Sequence, residues 1–131
     1  MCLRGASAVE DILSSTSQPV HVLVIWEPVI KTDLAPPTTS ALSRIPDSRA
    51  MQYWDPDRAL SAYLVSVARD NPSWVRPEDR GRVTGDGFIV WDAALVFPPG
   101  NHWESTLPSP AFSGGPVVDN LDAIRAALSD R

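Results

Sequence analysis

Cys2 is the single cysteine of the chain, and it stands directly ahead of a segment whose apolar residues have helical spacing. A thiol at a helix N-terminus meets free backbone N–H groups and the positive end of the helix dipole, which favour the thiolate that attacks disulfides. The plainer reading is a small apolar residue at a frayed terminus, because one cysteine can neither close an internal disulfide nor build a zinc cage. His21 and His102 fall on different elements and share no ligand spacing with Cys2, Asp92 or Glu104, so no metal site is expected. His21 reads as a strand residue facing a helix, and His102 as an exposed turn residue. Gly81, Gly85 and Gly87 read as turn glycines, since neither a lysine nor a helix follows them to make a phosphate loop. The serines have no partnered histidine in a recognisable motif, so a hydrolase triad has no support, and no cofactor is expected.

The elements that would hold these groups can be read from periodicity. Ala6, Val9, Ile12 and Leu13 mark one face of a helix over residues 3 to 14. Residues 20 to 26 are almost unbroken β-branched and aliphatic, as in an internal strand covered on both faces, and Pro28 ends it or puts a kink in it. Residues 32 to 53 are rich in Pro, Ser and Thr and read as a long loop with one helical turn over residues 40 to 45. Asp55 suits a helix N-cap and Pro56 the first helical position, followed by the stripe Leu60, Tyr63, Leu64, Val67 and Ala68; Asn71-Pro72 stops that helix. Residues 88 to 97 predict a long strand with a break near Trp91-Asp92. Residues 105 to 117 predict a short edge strand pairing back on it. Asp119 or Asn120 would cap a last helix through Ser129, with Leu121, Ile124 and Leu128 inward. Trp26 and Trp91 read as core residues.

Composition narrows the function classes. A chain of 131 residues, 44% hydrophobic and 21% charged, has the size of one domain, here residues 1–131. The net charge is −5 and the basic residues are scattered, so no stripe is available for phosphates and nucleic-acid binding is not expected. No stretch approaches the ~20 apolar residues of a membrane span, and the first residues are not a secretory signal, so a cytoplasmic protein is expected unless the true N-terminus lies upstream.

The order helix, strand, helix, strand, strand, helix implies an α/β sandwich with helices on both faces. Cys2-Leu3-Arg4-Gly5-Ala6-Ser7, Val22 to Trp26, Tyr53-Trp54-Asp55-Pro56 and Val90-Trp91-Asp92 together resemble bacterial thioredoxin-like proteins over almost the whole chain. The resemblance implies a thioredoxin-like three-layer sandwich lacking its usual first strand. It places Cys2 at the second cysteine of a Cys-x-x-Cys motif, with Asp92 close to the first helix as a possible proton acceptor; a buried hydrogen-bond role for Asp92 stays equally open. Two departures accompany it. The attacking cysteine would fall two codons ahead of Met1, and Met1 itself would be a GTG valine codon inside Cys-x-Val-Cys read as a start. The cis-proline of the family has no counterpart at Val90-Trp91-Asp92. The reading that follows is a protein of a thiol-disulfide redox lineage, inactive or incomplete with one cysteine, whose partners are protein thiols or disulfides. The alternative is a non-catalytic binding module that holds an unidentified protein partner through residues 32 to 53 or 98 to 110. A missing central strand would also leave sheet edges unpaired and open to oligomer formation.

Overall fold

The computed structural model describes residues 2–30, 33–74 and 90–129. The predicted turn glycines Gly81, Gly85 and Gly87, and the first two residues of the predicted strand over residues 88 to 97, lie outside them. The chain divides into two compact units, Met1–Leu60 and Ser61–Arg131.

In the first unit, α1 (Leu3–Ser15) buries Gly5, Ala6, Ala8, Ile12 and Leu13. The predicted helix is therefore present, with Ala8 inside and Val9 only half-buried. β1 (Val22–Trp26) follows, then α2 (Thr39–Leu42), capped by the Thr38 hydroxyl that accepts from the Ala41 N–H at 3.2 Å. β2 (Ala50–Trp54) then pairs with β1 in parallel, in the register Leu23↔Met51, Val24↔Gln52 and Ile25↔Tyr53. Two corrections follow from this β-α-β arrangement. The stretch from 32 to 53 is not a loop throughout, since it contains α2 and β2. And β1 is not an internal strand buried on both faces: Leu23 is 60% exposed and nothing but β2 pairs with it among the described residues.

The exposed side of this two-stranded sheet carries Leu23, Met51 and Tyr53, while Trp26 on the other side is buried. A polar residue organises the covered side. Gln52 accepts from the Trp26 indole N–H at 3.0 Å and donates to the carbonyls of Leu42 and Ile45 at 3.0 and 3.1 Å, tying β1, β2 and α2 together. Ile12, Leu13, Val20, Trp26, Ala41 and Ile45, with Ala6 and Ala8, are the buried apolar residues among the described residues of this unit.

In the second unit, α3 (Ala59–Asp70, its first turn at the division) buries Ser61, Val65 and Ala68. It begins three residues later than Asp55-Pro56 predicts, because Arg58 takes a left-handed φ of 56° that a continuing helix cannot contain. The predicted stripe is turned accordingly, with Leu60, Tyr63, Leu64 and Val67 half-buried beside it. β3 (Ala94–Val96) and β4 (Phe112–Gly114) form an antiparallel pair with Leu95 opposite Ser113, as the edge-strand reading expects, although β3 is far shorter than the predicted strand. A 3-10 turn, Val117–Asp119, leads into α4 (Leu121–Ser129), which packs on β3 and β4 with Ile124 buried. The architecture is mixed α/β; the described residues hold one helix and one strand more than the predicted order, and two small sheets.

Candidate thiol site

Cys2 is the N-cap of α1. Its φ and ψ of −96° and 96° are extended, and its Sγ accepts from the Gly5 N–H at 3.3 Å while its carbonyl accepts from the Ala6 N–H at 3.2 Å. The sulfur thus takes the place that a serine or aspartate oxygen usually fills at a helix start. Gly5 and Ala6 are buried and Cys2 itself is half-exposed, so the thiol lies at the surface on a fixed helix end. At that place the sulfur is within reach of a small disulfide.

Asp92 belongs to the other unit and has a local role. Its φ is +50°, and its Oδ1 accepts from the Val117 N–H at 3.4 Å. A Cβ on Gly115 would run into the Asp92 carbonyl, so glycine is required where the turn after β4 meets the residue before β3. The cis X-Pro bond of the chain is Gly115-Pro116, beyond β4, and Val90-Trp91-Asp92 has no proline.

The other sequence candidates separate in the same way. Asp55 accepts from the Leu60 N–H at 2.9 Å, which is the capping role expected of it, across the displaced start of α3. Burial works to raise its carboxyl, but the N–H groups of Leu60, Ala59, Asp57 and Arg58 outweigh that and hold it below its ordinary value. His21 is exposed and precedes β1, so it does not face a helix from within a strand. His102 is exposed, as expected. Trp26 is core at 5% exposure, whereas Trp91 is 53% exposed, which overturns its assignment to the core. Among the described residues no three His, Cys, Asp or Glu side chains converge, and no helix is long and apolar enough to cross a membrane.

Two features went unread in the sequence. Arg49 forms a two-pronged ion pair with Asp47 (Nη2–Oδ2 2.6 Å, Nε–Oδ1 3.0 Å) and also donates to the carbonyls of Leu13, Thr16 and Gln18 at 2.6, 2.9 and 3.1 Å. It therefore places a cation on the exposed carbonyls at the C-terminus of α1. Its signal was the Asp47-Ser48-Arg49 turn, in which Asp47 accepts from the backbone N–H two residues on, at 2.8 Å. The second feature is the Tyr63–Trp103 stack, with centroids 5.1 Å apart, whose tyrosine oxygen accepts from the Leu107 N–H at 3.0 Å. That contact ties the proline-rich stretch over residues 98 to 110 to α3.

No family model, curated protein or solved structure matches this chain.

Proposed function

We propose that this chain is a thioredoxin-like domain of a thiol-disulfide redox lineage in which Cys2 is the exchanging thiol. The observation that carries the reading is the Sγ contact with the Gly5 N–H at the first turn of α1, the position a second motif cysteine takes in that family. The separation of the β1–β2 and β3–β4 pairs into two sheets also fits a fold whose central strand is wanting. In the step proposed, the Cys2 thiolate attacks one sulfur of a partner disulfide. A new S–S bond to Cys2 forms, the partner S–S bond breaks, and the second partner sulfur leaves as a thiolate and takes up a proton. No other cysteine exists in the 131 residues to resolve the product, so it waits for an external thiol and the chain does not turn over by itself.

The experiment compares one residue in two states: the rate of Cys2 with an aromatic disulfide reagent at pH 7, in the folded chain and in urea. The expected result is a rate higher in the folded chain by roughly three- to tenfold, corrected for the effect of urea on free cysteine. An equal or lower folded rate would overturn the reading. The second reading, a binding module on the same fold, is favoured by the exposed apolar side chains Leu23, Met51 and Tyr53 on one sheet face.

A further inference from the structure

Among the described residues, the edge of β1 that faces away from β2 is unpaired. The Val22 N–H donates to the Arg49 carbonyl and the Trp26 carbonyl accepts from the Asp55 N–H, both at 2.9 Å, so the backbone groups of Val22, Val24 and Trp26 turn towards β2. Those of Leu23 and Ile25 turn the other way, and among the described residues no backbone or side-chain group pairs with them. Native sheet edges are ordinarily guarded by a charge, a proline or a bulge. Residues 20 to 26 contain none of these: Val-His-Val-Leu-Val-Ile-Trp has no Asp, Glu, Lys or Arg and no proline. Glu27 and Pro28 follow β1 and lie beyond Leu23 and Ile25; Asp47 and Arg49 precede β2, and Asp55, Asp57 and Arg58 follow it.

We infer that the open edge of β1 is a docking edge for β1 of a second copy of this chain, paired antiparallel about a two-fold axis at Val24. This register is self-complementary. Leu23 lies opposite Ile25 of the other copy and exchanges both backbone hydrogen bonds with it, and the symmetric pair does the same, giving four bonds. The axis is perpendicular to the sheet, so the face carrying Leu23, Ile25, Met51 and Tyr53 continues into its equivalent across a four-stranded sheet, with apolar side chains opposite apolar ones. The low charge of the strand suits a like partner, because no two equal charges are brought together despite a net charge of −5 per chain. A contact between two five-residue strands falls short of the ~1,200 to 2,000 Å² of a lasting interface, so the dimer is weak and concentration-dependent.

Sedimentation from about 5 to about 500 micromolar tests this, a range that spans weak association. The expected result is a mass rising from 14.2 kDa towards twice that value, with the Leu23 and Ile25 amides gaining protection from hydrogen exchange at the high end and Val22 and Val24 protected throughout. Leu23→Lys places a guarding charge on a side chain that is already 60% exposed and should abolish the rise; Leu34→Lys, at an 84% exposed apolar residue outside any strand, should leave it intact. A parent chain that stays monomeric overturns the inference. So does a dimer that survives Leu23→Lys, or that forms without new protection at Leu23 and Ile25, since another surface then makes it. A monomer in which those two amides are already protected would mean that the edge is filled within the chain, and would overturn it as well.

Discussion

Arg49 shows how one side chain can govern the end of a helix. Its hydrogen bonds hold the Asp47 carboxyl from its ordinary 3.8 down to about 2, through the side-chain pair first and the backbone N–H second. A carboxyl depressed in the folded state stabilises the fold above its unfolded value near 4, and that contribution is lost as pH falls through about 2. Stability of the parent chain should therefore decline between about pH 4 and pH 2, and Arg49→Gln should make that decline shallower while lowering the urea midpoint at pH 7. Urea melts at several pH values measure both; an unchanged acid slope in the variant would show that Asp47 owes nothing to Arg49. The thiol was legible at this scale because a cysteine before a helical stripe is a local signal. Arg49 was not, since three of its acceptors lie more than thirty residues away along the chain.

Among the elements, those with a one-sided apolar pattern were readable and those with an inverted one were not. Both α1 and α4 keep apolar residues on one stripe, and their bounds follow it closely. β2 turns Met51 and Tyr53 to the exposed face and Gln52 to the covered one, the reverse of apolar-in and polar-out, so alternation could not reveal it. The short β3 follows from Asp92, whose left-handed backbone interrupts the predicted strand. This gives a test that separates its two proposed roles. Asp92→Asn keeps an acceptor and tolerates the positive φ, so thermal stability should stay within ~0.5 kcal/mol and Cys2 reactivity should not change. Asp92→Val should cost ~1 to 3 kcal/mol through backbone strain and the lost Val117 hydrogen bond, and Gly115→Ala a similar ~1 to 3 kcal/mol through collision with the Asp92 carbonyl. A change in Cys2 alkylation on Asp92→Asn, with stability unaltered, would instead give Asp92 the role of proton acceptor.

For the whole molecule, the α/β class was legible from element order, and the division into two units was not, because no Gly- or Ser-rich linker marks it and it falls in the first turn of α3. Within the first unit, cohesion rests on an amide. Gln52 receives one hydrogen bond at its oxygen and gives two from its nitrogen, joining its own strand β2 to β1 and to the C-terminal end of α2, and it does so without charge. That junction therefore ignores acidity, but a single exchange of nitrogen for oxygen would make it respond. In Gln52→Glu a carboxylate would aim an oxygen at the carbonyls of Leu42 and Ile45, a repulsive meeting of acceptors, whereas the protonated acid restores one donor. The folded state would raise that carboxyl above its unfolded value of about 4.3, so its stabilisation would be present at lower pH and lost on the way up through the folded value. The variant should melt at a higher temperature at pH 4 than at pH 7, a gain the parent lacks. The neutral tie across these three elements would then have become a lock that closes in acid, at the expense of one proton.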